Sequence, residues 1–296
     1  LTFVSDLESV NFRTEFLYLH MRNMFWRDLI LLRSPLDVSQ AATPKMSGSI
    51  LRPEELPEIR HLHLFRDMTQ ASFETLMASS YAQNFPQGLE IIRQGDPADF
   101  LHIVLEGSVE LFAQGAGREC TMAVVRPVST FILAASIRDA PYLMSARTLE
   151  RTRIILVPAP DLRAMFRRDT EFAVSVINEL AACYRSVVRS AKTLKLRNSR
   201  ERVASYLLRQ SLLSGGATSY TLPVEKRLLA SYLGMTSENL SRTLRTLEAD
   251  GIKMDGARVI ITDREKLTAL AQLDRLIDGP DAFSGQSGSG LPAAEQ

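Results

Sequence analysis

The chain has 296 residues, 45% of them hydrophobic and 23% charged, a balance that suits two globular domains rather than a disordered chain. Its two cysteines exclude a disulfide scaffold, a four-cysteine zinc site and an iron–sulfur cluster held by four cysteines of one chain. The formal charge of +1, taken over the whole length, argues weakly against nucleic acid.

Residues 1–54 read as an N-terminal extension. The first residue is Leu1, and of the internal start candidates Met21 and Met46 the second is favoured, because the stretch before it is unlike the rest of the chain. Phe16 to Leu32 is apolar and aromatic, but Arg22, Arg27 and Asp28 interrupt it. No run there nears the roughly 18 to 20 uncharged residues of a membrane span. With neither a signal-peptide pattern nor disulfide spacing, a cytoplasmic protein without a membrane partner is expected. Residues 279–296, rich in Gly, Ser, Pro and Ala, are expected to form a disordered tail.

Residues 55–160 carry mostly period-two hydrophobicity. An amphipathic helix comes first, with Leu64, Phe65, Met68, Phe73, Leu76 and Met77 on its apolar face. Strand runs follow at 89–92, 100–105, 108–112, 121–125, 145–148 and 153–157, with Gly88, Gly95 and Gly107 separating the early ones. Many short antiparallel strands at this spacing predict a sandwich or jelly roll.

Residues 161–197 predict a long helix with a break near Arg168. Ala173, Ile177, Leu180, Tyr184, Val187, Ala191 and Leu194 alternate spacings of four and three, an a/d seam. Arg185, Arg189, Lys192, Lys195 and Arg197 surround that seam, which suits a helix paired with its own copy; a core helix packed on its own domain is the plainer alternative. From Arg185 to Arg202 seven basic residues face one acidic residue, Glu201, so the near-neutral total hides a basic segment.

Residues 198–273 form the third segment. Asn198 or Ser199 caps a helix carrying Val203, Tyr206, Leu207 and Leu208, and Gly215-Gly216 ends it. Extended Tyr220 to Leu222 leads to Pro223, expected to open the next helix. In the stretch Lys226 to Arg245, Ala230 is small where two helices cross, and Gly234 supplies a positive φ for the turn. Leu240 faces the shared core and Thr236 caps the second helix. Ile252 to Thr262 reads as a hairpin with Asp255-Gly256 at its turn. The spacing is that of a winged helix-turn-helix, with an ordinary helical hairpin as the alternative. On the second helix Glu238, Ser241 and Arg242 project from one side as candidate base contacts: Arg pairs with guanine, Glu accepts from cytosine N4, and Ser serves either. Thr236, Ser237, Arg245 and Arg258 are candidates for phosphate. The plainer reading of Glu238 and Arg242 is an i, i+4 ion pair.

On these residues the arrangement resembles the CRP/FNR superfamily of bacterial transcription regulators, over roughly residues 60 to 270. Gly88, Gln94-Gly95-Asp96 and the run Val104 to Phe112 match the β-roll turns. The resemblance implies an α+β fold: an N-terminal antiparallel β-roll (jelly roll, cyclic-nucleotide-binding-like), a long dimerisation helix and a C-terminal winged helix-turn-helix. It implies self-association, double-stranded DNA and, for an activator, RNA polymerase as partners. Glu238, Ser241 and Arg242 resemble the FNR-type recognition helix, which implies an inverted repeat with half-sites close to TTGAT.

The departures concern the signal. Members that bind cyclic AMP carry a Gly-Glu and an Arg-Ser/Thr-Ala; residues 131–147 have neither, and Leu143-Met144 precede Ser145 where the charge belongs. Arg147 reads as a strand residue rather than a phosphate contact, and a phosphate buried without a fixed cation is badly compensated. The four-cysteine cluster of FNR itself is excluded by composition. The resemblance then leaves redox, haem-borne nitric oxide or heavy-metal sensing, with a cyclic-nucleotide-responsive regulator or a receptor module acting through protein contacts as alternatives. The cofactor stays open between haem, a metal ion and none, with no iron–sulfur cluster. His61, His63, His102, Cys120 and Cys183 are the candidate effector or metal ligands. Their plainer readings are an exposed histidine pair, a core histidine and, for Cys183, a small buried filler. No phosphate loop, metal-spaced His pair or nucleophile–base set is present, so no enzyme is expected.

Overall fold

The computed structural model describes residues 51–278. The expected start at Met46 and most of the extension before it, together with the expected disordered tail 279–296, lie outside the described residues.

The first expected helix is two helices. After a 3-10 turn at Pro53–Glu55 come α1 (Leu56–Arg60) and α2 (Gln70–Ala78). All six residues assigned to the apolar face are buried, but Leu64, Phe65 and Met68 sit in the turns between the helices. Thr69 explains the interruption. Its backbone is extended and its side chain accepts from the Ser72 N–H, which starts a fresh helix at Gln70.

The roll follows as β1 (Tyr81–Phe85), β2 (Glu90–Ile92), β3 (Phe100–Glu106), β4 (Val109–Gly115), β5 (Arg118–Val125), β6 (Ser129–Phe131), short α3 (Leu133–Arg138), β7 (Ser145–Thr148) and β8 (Thr152–Pro158). Two antiparallel four-stranded sheets form, ordered β1-β8-β3-β6 and β2-β7-β4-β5. Val104, Val109, Leu111, Val125, Phe131 and Ile154 fill the space between them. On the other side of the first sheet, Leu101, Ile103, Ile155 and Val157 pack against Phe65, Phe172 and their neighbours. Gly107 closes the β3–β4 turn at φ +79°, and a Cβ there would lie 2.5 Å from the Arg151 carbonyl oxygen, so only glycine fits.

The expected long helix breaks as anticipated, into α4 (Ala159–Met165) and α5 (Thr170–Leu196). Asp169 between them caps α5 by accepting from the Phe172 N–H at 3.0 Å, and its other oxygen accepts from the Thr69 N–H at 2.8 Å. One carboxylate thereby ties together the starts of two helices.

The C-terminal domain contains α6 (Ser199–Leu213), β9 (Ser219–Thr221), α7 (Lys226–Tyr232), α8 (Ser237–Thr246), β10 (Ile252–Asp255), β11 (Arg258–Ile261), α9 (Arg264–Ala271) and α10 (Arg275–Asp278). Its sheet runs β10-β11-β9. Asn198 and Glu201 form a capping box at the start of α6. Pro223 does not open α7; the helix starts three residues later, with Glu225 in extended backbone before it. Val203, Tyr206, Leu229, Leu240, Val259 and Leu267 share one core, and Val124 of the roll belongs to it as well. Among the described residues no helix is long and apolar enough to cross a membrane.

Candidate nucleic-acid interface

The turn between α7 and α8 is built as its sequence demands. The Gly234 N–H donates to the Ser231 carbonyl at 2.9 Å and the Met235 N–H to the Ala230 carbonyl at 3.0 Å, the two bonds of a Schellman ending. Gly234 takes φ +66°, and a Cβ on it would meet Leu194 Cδ2 of α5 at 2.8 Å. Thr236 then caps α8, its side chain accepting from the Asn239 N–H at 3.2 Å. Leu240 and Leu244 turn inward and are buried.

The opposite face of α8 is polar and exposed. Ser237, Glu238, Ser241, Arg242 and Arg245 line one shallow surface hollow, so the three candidate base contacts and two of the candidate phosphate contacts come together. Thr236 is exposed at the N-terminal end of the same helix. Arg258 stands apart on the hairpin, exposed, with its Nε donating to Ser219 Oγ at 2.6 Å. Asp255 pairs with Arg258 across the hairpin, so the two-residue turn is Gly256-Ala257, one position later than expected. Only Gly256 has positive φ, as a type II′ turn requires.

Along α5, Ile177, Tyr184 and Val187 are each more than 60% exposed, an unusual cost for large apolar side chains unless something covers them. Val174, Ala181 and Val188 widen the exposed line, and Ala191 is half-buried. Two seam residues behave otherwise. Leu180 is half-buried against the roll's own core, and Leu194 shares its exposure with the contact to the α7–α8 turn. Arg197, expected among the exposed basic residues around the seam, is buried. Its guanidinium is satisfied by Asp278, Ser205 and the Gln272 carbonyl.

Arg147 lies on β7 on the outer face of the second sheet, as a strand residue. Its guanidinium donates from Nε to Glu110 at 2.8 Å, bonds Glu119, and stacks over the Phe112 ring at 4.4 Å. Glu110 is fully buried and also accepts from Thr121 Oγ1 at 2.5 Å. Ser145 Oγ accepts from the Gln94 N–H at 3.0 Å, and Leu143 is 83% exposed.

The candidate effector ligands are dispersed. His61 and His63 are exposed, and His61 Nδ1 bonds the Pro57 carbonyl at 2.6 Å. His102 is buried, with ring centroids 5.0 Å from Phe131 and 6.3 Å from Tyr142, and desolvation pulls its pKa down to about 3 against a weaker opposing bond to the Phe100 backbone. Cys120 is exposed on β5. Cys183 is half-buried on α5, where burial and then Glu179 push its thiol pKa up. Among the described residues no three His, Cys, Asp or Glu side chains converge as a metal site.

A cyclic nucleotide-binding domain profile matches residues 82–169 and a Crp-like helix-turn-helix domain profile matches residues 201–270. The chain is 24% identical over 215 residues to the CRP-like cAMP-activated global transcriptional regulator of Mycobacterium tuberculosis, covering 71% of this chain and 96% of that one. It is 29% identical over 197 residues to the nitrogen fixation regulation protein FixK of Azorhizobium caulinodans, covering 63% and 77%. The structure of FixK2 from Bradyrhizobium japonicum has the same fold, with a TM-score of 0.55 and 24% identity over 66% of this chain and 98% of that one.

Proposed function

Because the chain belongs to the CRP/FNR superfamily, whose matched members are DNA-binding transcription regulators and not enzymes, we propose that it works as a homodimer paired through α5. In this reading the dimer binds an inverted repeat with half-sites close to TTGAT. The observation that carries the proposal is the exposed face of α8, where Glu238, Ser241 and Arg242 share one side of a helix that Thr236 caps and Leu240 anchors. Arg242 supplies a bidentate donor pair for guanine, Glu238 an acceptor for cytosine N4, and Ser241 either role. Thr236, Ser237, Arg245 and Arg258 fix the register on phosphate. The uncovered apolar line through Ile177, Tyr184 and Val187 supports pairing with a second copy.

The signal in this reading is redox, nitric oxide or heavy metal rather than cyclic AMP. Two observations support setting cyclic AMP aside. The cation nearest in sequence to the expected cradle, Arg147, is committed to Glu110 and Glu119, and the space between the sheets is lined by apolar side chains with the buried imidazole of His102 among them. The dispersed donors do not fit a metal centre made by several ligands of one chain. They leave what single residues supply: the thiols of Cys120 and Cys183, or one imidazole as the protein ligand of a haem.

Replacing Arg242 by Ala tests the reading. Specific binding to an inverted TTGAT repeat should weaken by about 1–3 kcal/mol and discrimination at one base pair should relax. Binding of the parent protein should fall steeply with salt through counterion release. Unchanged affinity and base preference in Arg242→Ala would refute the assignment of α8. An absorption spectrum and metal analysis of protein purified from its own host separates haem, metal and thiol signals.

A further inference from the structure

The chain leaves the long helix through a joint of two extended residues, Arg197 and Asn198, before α6 begins at Ser199. The joint itself has little backbone bonding: the Arg197 N–H bonds back to the helix, to the Thr193 carbonyl at 3.3 Å, and the Arg197 carbonyl accepts from Arg202 at 3.0 Å. The Arg197 side chain supplies what the backbone lacks. Its NH1 donates to Asp278 Oδ1 at 3.0 Å and to Ser205 Oγ at 3.3 Å, and its NH2 donates to Asp278 Oδ2 at 2.5 Å and to the Gln272 carbonyl at 3.1 Å. One guanidinium at the joint thus grips α6, the end of α9 and the short helix α10. Both charged groups are buried, and the Asp278 carboxylate also accepts from the Asp274 N–H at 3.0 Å and has Arg209 as a second, more distant cation at 3.9 Å.

A buried ion pair adds little net stability, because desolvation offsets its attraction; its best-attested use is to fix one geometry among several. Here the pair bears on the angle of the reading domain on α5. A second contact bears on the same angle, since Leu194, one turn before the joint, lies against Gly234 in the turn that orients α8. We infer that Arg197 and Asp278 form a positioning clamp that sets the separation of the two recognition helices, and with it the half-site spacing the protein accepts. Neither residue touches DNA in this scheme. The inference rests on the proposed reading of an inverted repeat by a dimer.

The test uses the full chain and a set of DNA duplexes in which two inverted TTGAT half-sites are separated by spacers varied one base pair at a time. The parent protein should prefer one spacer over its neighbours by about tenfold or more. Asp278→Asn, which keeps the side-chain shape but removes the charge, should bring that preference close to unity. It should leave intact the penalty for a base change inside a half-site, which Arg242→Ala alone should relax. A spacing preference equal to that of the parent overturns the clamp. Should Asp278→Asn bind no duplex, Asp278→Glu, which keeps the carboxylate for Arg197, decides: recovered binding with the parent's spacing preference supports the clamp, and binding without that preference, or none, overturns it. If the parent protein itself does not distinguish inverted repeats from scrambled DNA, the proposed function falls first and the clamp with it.

Discussion

The backbone N–H of Thr121 in the roll donates to Ser231 Oγ in α7 at 2.6 Å, so a strand of the roll is hydrogen-bonded directly to the first helix of the helix-turn-helix. The contact does not stand alone. Cys120 Sγ lies 3.6 Å from the Ser231 carbonyl, Arg126 donates to the Pro223 carbonyl at 2.8 Å, and Val124 is built into the core of the reading domain. Thr121 is itself buried, so its N–H has no ready replacement partner in water.

Ser231→Ala should therefore leave a buried donor unpaired at a cost of about 1–3 kcal/mol. Hydrogen exchange is the measurement. The Thr121 amide should exchange much faster in the variant, while amides in β3 stay as protected as before. Unchanged protection at Thr121 would show that the serine hydroxyl is not its partner.

Tyr184→Asp places a charge in the middle of the exposed line on α5. If that line is covered by a second copy, the desolvated charge should shift the protein to monomer in analytical ultracentrifugation without lowering its helix content. A variant that sediments as the parent does would rule out pairing through this face.

His102 predicts a pH dependence of stability. In the fold its pKa is pulled down to about 3, whereas the ordinary value is 6.5, so the folded protein holds it neutral and the unfolded chain protonates it first. Stability associated with the neutral imidazole is fully present above 6.5 and is lost progressively as pH falls toward 3. Near pH 5 the loss should be about 2 kcal/mol. Urea titrations at neutral and acidic pH check it: His102→Leu should flatten this part of the profile, and an identical slope in the variant would contradict the assignment.

Gly234→Ala introduces two penalties at once, a left-handed backbone for an L side chain and a collision with Leu194. Together they should cost about 1–3 kcal/mol and lower the Tm of the protein. DNA binding should suffer more than stability, because the turn orients α8. An unchanged Tm and affinity would mean that Leu194 does not press on this turn.

Much of this was legible in the sequence because the physics is local. Gly234, Thr236 and Leu240 announce a turn, a cap and a buried anchor within seven residues, and the structure has all three where spacing puts them. The break in the long helix was readable as well. What sequence did not reveal depends on distant partners. β1 and β6 were missed because Gln83 and Asn84 interrupt one strand and the other has three residues; each becomes a strand only when its neighbours pair with it. Arg197 looked like one more surface cation, since nothing local says that Asp278, eighty-one residues later, returns to bury it. Nothing local singles out Ser231, whose role comes from a strand more than a hundred residues away.

The length of α5 gives its joint a mechanical meaning. Twenty-seven residues at 1.5 Å each make a shaft of about 40 Å. Tilting such a shaft by about 5° at the sensor end carries the far end about 3.5 Å, close to the 3.4 Å rise of one base-pair step. A hinge that yielded would absorb this displacement before it reached the DNA, whereas a stiff one transmits it whole. The motion of α5 thus reaches the reading domain only as far as the joint at Arg197 is stiff, beside the direct contacts of the roll with Ser231 and Pro223.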